Sequence, residues 1–367
     1  MISSYKPDIF NTKRPFTIGM ELEIRLIDRK TLMPKNSSPY LLQKIPLELK
    51  THIHKELLQS MLEIVTPVCR DSKEAVGFIT KALKTLVNIG AGKDIALAAL
   101  ATHPLETKED NEIVHDPRYE SLARELQIVL KNFLISGLHI HIAVPDEKSA
   151  IRAYNASIKY LPLFLALSAN SPFALGEDTG LYSYRNKIFE RLPRAGIPQH
   201  FENYRHYCGL IDQLVLTDTI ESIKDVWWDV RIHQKFGTIE LRVCDAFYDP
   251  ERLRAIGSLY RGLVRYASGN PVKHEYYQIN KQNKWNAIRH GLNGKFIEGN
   301  RSVSIREKIH SLIDEIDRSG IFAESPDIEE INAMHRVCAK ASIASKLRNI
   351  YEKNENLKSV IEEELIG

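Results

Sequence analysis

Thr17-Ile18-Gly19-Met20-Glu21-Leu22-Glu23-Ile24-Arg25-Leu26 alternates small or polar residues with apolar ones from end to end. Two later stretches do the same, Gly137-Leu138-His139-Ile140-His141-Ile142-Ala143-Val144 and Thr238-Ile239-Glu240-Leu241-Arg242-Val243-Cys244. Side chains of a strand point to opposite faces with a period of two. Each stretch therefore reads as a strand with one face of Ile, Leu, Met and Val. The opposite face carries Glu21 with Glu23, His139 with His141, and Glu240 with Arg242. Alternation this clean belongs to an antiparallel sheet whose two faces lie in different environments. Carboxylates crowded on one face repel each other and are costly to desolvate, and bound divalent cations would remove that cost. The polar face is expected to be the floor of a metal–nucleotide site.

The rest of the chain fits an ordinary globular protein. It has 367 residues, enough for one large core or two modest ones, with 43% hydrophobic and 26% charged residues. The net charge is +3, with acids and bases interspersed, and no basic stripe suggests nucleic acid as a partner. No apolar run approaches the length of a membrane span. Met1-Ile2-Ser3-Ser4-Tyr5-Lys6-Pro7-Asp8 has no signal-peptide core. Cys69, Cys208, Cys244 and Cys338 form no CxxC pair, so neither a disulfide framework nor a thiolate zinc site is expected, and a cytoplasmic location is.

Helix and strand signals alternate, which predicts a mixed α/β or α+β fold, and the clean alternation of the polar-faced strands favours the antiparallel, α+β form. The end of the stretch from His54 to Pro67 reads as a strand stopped by Pro67, and Ile95 to Leu100 as a short buried strand. Asp71-Ser72-Lys73-Glu74 is a capping signal for a long helix toward Gly90. Further helices are expected over Tyr119–Phe133, from Asp146 through Lys159, from Pro250 to Ala267, and across Trp285–Leu292 with a glycine cap. Pro162 is read as opening a separate apolar run. Ser171 to Phe201 is rich in Gly, Pro, Tyr and Arg and too irregular for a simple element, as functional loops often are. From Ser304 the chain reads as helical, with Ile305, Ile309, Leu312, Ile313 and Ile316 as a packing stripe. The expected division is a catalytic domain over 1–300 and a helical segment over 301–367 packed on it.

Taken singly, each motif has two readings. Glu21 and Glu23 suit oxygen-ligated cations, or a solvated sheet face. His139 and His141 suit zinc, a phosphate contact, or plain hydrogen-bonded strand positions. Glu240 and Arg242 suit a charged site or a cross-strand ion pair. Glu63 lies among apolar residues and needs a partner, either an internal salt bridge or a metal; Glu56 is less constrained. Arg185 in Asp178–Arg185 could clamp a phosphate or carboxylate, or be a surface arginine. Arg289 is a candidate anion contact. No Walker A loop, dinucleotide fingerprint or G-x-S-x-G motif occurs. The coincidence of three matching polar faces carries more weight than any one of them.

Together the motifs resemble the bacterial carboxylate–amine ligase family, the type 2 glutamate–cysteine ligases. The matching stretches are TIGMELEIRLID, QSMLEIVTPVC, SGLHIHIAVPD, YLPLFLALSANSPFALGEDTGLYSYR, RAGIP, VWWDVRIHQKFGTIELRVCD and KWNAIRHGLNG, in family order. The resemblance implies a fold similar to the catalytic part of glutamine synthetase: a mostly antiparallel sheet holding ATP and Mg2+, with helices on its other face. It implies Glu21, Glu23, Glu63 and Glu240 as metal ligands, with Glu56 and His139 joining them. It implies Arg242 and Arg185 as holders of phosphate or substrate carboxylate, with His141 as a further contact. The implied reaction joins glutamate to an amine, cysteine being one option, through an acyl phosphate. Two other functions compete: a metal-dependent hydrolase using His139 and His141, and a non-catalytic nucleotide-binding descendant. The Tyr-rich stretches are candidates for an interface in a homo-oligomer. Glu21→Gln and Glu240→Gln are both expected to fold and to lose magnesium-dependent nucleotide binding.

Overall fold

The three alternating stretches are neighbours in one sheet. The computed structural model describes residues 7–10 and 13–367, and most of the N-terminal stretch read above for a leader lies outside the described residues. The strands of that sheet are β1 (Ile18–Asp28), β2 (Ile53–Lys55), β3 (Met61–Val65), β4 (Ile95–Ala98), β5 (Gly137–Ala143), β6 (Val230–His233), β7 (Thr238–Asp245) and β8 (Leu365–Ile366). They form an eight-stranded sheet with the order β6-β7-β5-β1-β3-β2, while β4 pairs with β1 and β8 with β4. Every pairing within it is antiparallel. β1 is long enough to hold both β5 and β4 on one edge: Leu22 faces Leu138, and Arg25 faces Ala98.

The apolar face is the core. Met20, Leu22 and Ile24 of β1, Leu138, Ile140 and Ile142 of β5, and Ile239 and Leu241 of β7 are all sealed from water. Helices α1 (Ser72–Ala91), α2 (Pro117–Leu126), α3 (Glu147–Ser168), α4 (Pro250–Gly269), α5 (Tyr277–His290) and α6 (Ile305–Arg318) follow in chain order. α3 lies against β7 and α4, and α1 against β1, β4 and α4. The capping signals act locally. The Asp71 carboxylate accepts from the Glu74 amide at 2.8 Å, and Val76, Ile79, Leu83 and Leu86 then share one buried face of α1. Ser304 and Glu307 form a capping box that starts α6, and all five residues of its isoleucine–leucine stripe are buried. Gly291 ends α5 at φ 55°, where a Cβ would sit 2.6 Å from the Tyr182 ring.

Two expectations fail. Pro162 opens no new element; it lies inside the unbroken 22-residue helix α3. Nearly every side chain of that helix is buried, so packing outweighs the single hydrogen bond the proline removes. The helix expected over 119–133 begins at Pro117 and breaks at Gln127 (φ 46°), resuming as the short turn Ile128–Lys131. Beyond α6, helix α7 (Ile331–Ala339) packs on α4, and β8 pairs with β4. The four cysteines are free and buried. Among the described residues no helix is long and apolar enough to cross a membrane.

Leu22 touches core on the oily side of β1 and sits between two polar-face glutamates. Leu22→Ala should lower unfolding stability by about 2–5 kcal/mol through the cavity it leaves, read as a lower urea midpoint at unchanged slope. An unchanged midpoint would contradict the placement of this face in the core.

Candidate active site

Cross-strand register brings the polar residues together. Glu21 lies opposite His139, Glu23 opposite Glu63, and Glu240 opposite His141 on one side and Arg231 on the other. Glu21 accepts from His139 Nδ1 at 3.0 Å, and its other oxygen lies 3.1 Å from His141 Nε2. His139 Nε2 is 3.8 Å from Glu23, and His141 Nε2 is 3.9 Å from Glu240. Two groups of ligand atoms fall within 4.8 Å of one another: Glu21, His139 and Glu240, and Glu23, Glu63 and His139. Glu56 joins from the turn between β2 and β3, where its carboxylate accepts from the Leu57 amide at 3.1 Å.

This crowding governs the charge states. Burial, with Glu23 and Glu21 adding repulsion, pushes the Glu56 carboxyl up to about 8. Burial, then Glu21 and Glu56, likewise raises Glu63 well above the carboxylate range. Burial also acts to raise Glu21, but His141 and His139 outweigh it and hold that group low. Burial acts on Glu240 too, and there Arg231 and Arg242 win and lower it. Burial and the Arg242 cation keep His139 below the usual imidazole range, whereas for His141 burial is overcome by Glu21 and Glu240 and the pKa rises. The two histidines of one strand are thus pushed in opposite directions.

A bulge in β7 aims the arginine. Leu241 faces Ile140 and Cys244 faces Leu138, so β7 carries one residue more than β5, and Arg242 and Val243 share the place opposite His139. Arg242 pairs with Glu240 on the polar face, and Arg231 grips the same carboxylate with Nε and Nη2. Glu240 is fully buried between these guanidiniums. Glu240→Gln would strip two buried cations of their counter-charge, so the expectation that this variant folds normally is corrected. Glu21, partly exposed, carries no such penalty.

Arg185 is 1% exposed and sits behind the bulge, donating to the main-chain carbonyls of Arg242 (3.3 Å) and Val243 (3.5 Å). Gly137 makes room for it, since a Cβ there would lie 2.3 Å from Arg185 Nη2. The Gly137 amide is in turn free to donate to Glu23 at 2.5 Å. Asp245, at the end of β7, accepts from Asn170, Ser171 and Ser183 and so ties down the irregular stretch that carries Arg185. Arg289 does not join the carboxylate–imidazole group; it is exposed and donates to the Gly180 carbonyl.

A cavity of about 600 Å3 opens at the Glu21–His141 end. Val65, Val68 and Phe236 give it apolar walls, and Lys13, Arg14 and Lys235 add positive charge. Over the other end of the polar face lies a separate apolar cluster that includes Leu57, Met61, Leu126 and Leu130, with Tyr119 packed on it. Burial, then the charges of Glu56 and Glu63, raises the Tyr119 hydroxyl far above its usual pKa.

Sequence reasoning missed Arg231 and Asp229. The signal was present: Val230-Arg231-Ile232-His233 alternates like the other three strands. Asp229 falls opposite Arg242, whose amide donates to the Asp229 carbonyl at 2.8 Å, and its buried carboxylate holds Lys284 at 2.7 Å.

Residues 17–363 match the model of glutamate–cysteine ligase family 2. A relative from Solibacter usitatus (strain Ellin6076), provisionally named glutamate–cysteine ligase 2, is 31% identical over 99% of this chain and 94% of its own length. Another of that provisional name, from Gloeobacter violaceus (strain ATCC 29082 / PCC 7421), is 32% identical over 96% of each. Among solved structures, the glutamate–cysteine ligase of Francisella tularensis in complex with AMP superposes with a TM-score of 0.73 at 13% identity, covering 96% of this chain and 88% of that one. The bifunctional glutathione synthetase of Pasteurella multocida gives 0.69 at 13% identity, covering 97% and 52%. At that identity the two structures speak for the fold alone. The α+β architecture is that of these ligases, and with its family model matched over most of its length, this chain is a ligase belonging to glutamate–cysteine ligase family 2.

Proposed function

We propose that the chain is an ATP-dependent carboxylate–amine ligase that activates the γ-carboxylate of glutamate and passes it to an amine, cysteine being one acceptor. The observation that carries this reading is the set of carboxylates converging on one sheet face, two of them with pKa values raised by burial and by the neighbouring carboxylates. Oxygen donors of this number suit magnesium better than zinc, which weighs against a hydrolase built on His139 and His141. Glu21, Glu23, Glu56, Glu63 and Glu240, with His139, would hold the ions, which when bound neutralise and orient the triphosphate. The basic and apolar cavity beside Glu21 suits the nucleotide, its flat base against Phe236 and its phosphates toward the polar face.

A carboxylate is a poor electrophile. In the proposed sequence a γ-carboxylate oxygen of glutamate attacks the terminal phosphorus of ATP, and ADP leaves. The amine nitrogen then attacks the acyl carbon, phosphate departs with the bonding electrons, and the nitrogen loses a proton. Arg242 contributes fixed positive charge where negative charge builds on the transferred group. Glu240 and Arg231 fix its side chain from the front, and Arg185 fixes its main chain from behind, so Arg185 is read as a positioning residue rather than a substrate clamp. The apolar cover with Tyr119 excludes water that would hydrolyse the acyl phosphate. We read residues 1–300 as the catalytic part, 301–367 as its helical support, and the cytoplasm as its location.

An ADP-release screen with Mg2+, glutamate and a panel of amines tests the reaction; no stimulation by any pair would end the ligase reading. Glu21→Gln should keep its melting temperature within a few degrees and weaken Mg2+-dependent ATP binding by about 10–100-fold, measured by calorimetry. Unchanged binding would remove Glu21 from the ligand set.

The raised Glu56 pKa has a sign that can be tested. A carboxyl whose folded pKa lies above its unfolded value binds its proton more tightly when folded. Its stabilisation is complete below about pH 4.5 and is lost as pH rises toward about 8. His141 shifts stability in the same direction and His139 in the opposite one, so Glu56 is isolated by difference. In EDTA, wild type should lose more thermal stability than Glu56→Gln between pH 5 and 8, and saturating Mg2+ should close the gap. Parallel curves in EDTA would show that Glu56 is not in this environment.

A further inference from the structure

A second cavity, of about 300 Å3, lies between α5 and the short helix Tyr184–Phe189 and has no part in the reaction above. Lys187, Lys281 and Lys284 line it, with Glu190 as its acid and Tyr277 and Trp285 as its aromatic walls. Lys284 is buried; its Nζ lies 2.7 Å from Asp229 and 2.9 Å from Glu190. Lys187 takes the other Glu190 oxygen at 2.5 Å. Both carboxylates are thereby used. Lys281 remains, without an ion pair among the described residues and with its Nζ 5.7 Å from the centre of the Tyr277 ring. Trp285 and Tyr277 are 42% and 47% exposed, unusual for such large rings, and Lys187 lies 5.8 Å from the centre of the Trp285 ring.

Excess positive charge beside two half-exposed aromatic rings, each already carrying a lysine, fits an anion with a flat apolar body. Inorganic phosphate would satisfy the lysines and leave the rings wet. The cavity is also wired to the catalytic face. Lys284 holds the Asp229 side chain, and the Asp229 carbonyl holds the Arg242 amide at 2.8 Å. An anion arriving at these lysines competes with Asp229 and Glu190 for them and so alters the hold on Arg242.

We propose that this cavity binds a small organic carboxylate carrying a flat apolar group, and that its occupancy is transmitted to Arg242 through Lys284 and Asp229. The proposal goes beyond the ligase reading, and its binding arm needs no turnover. Calorimetry on the full chain with benzoate, benzamide and inorganic phosphate reads the site directly. Benzoate should bind, benzamide should not, and phosphate should bind more weakly than benzoate. Lys281→Gln and Trp285→Ala, both at exposed positions, should each weaken benzoate by about fivefold or more. Equal benzoate affinity in wild type and both variants, benzamide as tight as benzoate, or phosphate tighter than benzoate would overturn the site. Saturating benzoate should also change the wild-type ADP-release rate by about twofold or more, an effect lost in Lys281→Gln. Benzoate binding with no change in rate, or a change that persists in Lys281→Gln, would overturn the link to Arg242. If benzoate binds as expected while no amine elicits ADP release, the ligase reading falls and the cavity assignment stands.

Discussion

Repulsion among carboxylates held on one sheet face is the constraint around which the molecule is arranged. Glu23 and Glu63 are direct cross-strand partners, an arrangement that like charges ordinarily forbid. The folded chain tolerates it by three local means. Glu21 is compensated by two imidazoles, Glu240 by two guanidiniums, and Glu56 and Glu63 by retaining protons to unusually high pH. The last of these is the weakest solution, and it marks where the protein is short of positive charge. The apolar face beneath supplies the stability that such a surface consumes.

The arginines are arranged in depth. Glu240, sealed from water, is the hub that orients Arg242 and Arg231 together. The bulge in β7 turns Arg242 toward His139, and its two main-chain groups are each occupied, the amide by Asp229 and the carbonyl by Arg185. Two motifs distant in sequence thus converge on one residue: the stretch containing Arg185 and the helix containing Lys284. Their conspicuous arginine and lysine brace the site from behind rather than reach into it. Arg289, from that same helix, is turned away toward the 180 loop.

Much of the site was legible because strand periodicity is a strong local code. A period of two fixed which side chains shared a face, and three matching faces implied one surface. That logic correctly grouped Glu21, Glu23, His139, His141, Glu240 and Arg242, and applied to Val230–His233 it would have added Arg231. Pro162 misled because a local steric penalty was weighed without the packing that surrounds α3. The break at Gln127 was equally hidden, since nothing in Tyr119–Phe133 announces a residue at positive φ.

By itself the amino-acid order determined the sheet, its two chemically distinct faces, the helix caps and the family, since each is written in spacing between near neighbours. Only the tertiary structure decided which strand lies beside which, that Glu63 faces Glu23, that the two histidines of one strand are shifted in opposite directions, and that Arg185 supports Arg242 from behind. Those outcomes depend on burial and on distances between residues far apart in the chain. Electrostatic energy in a desolvated site varies steeply with both, and neither is encoded in local pattern.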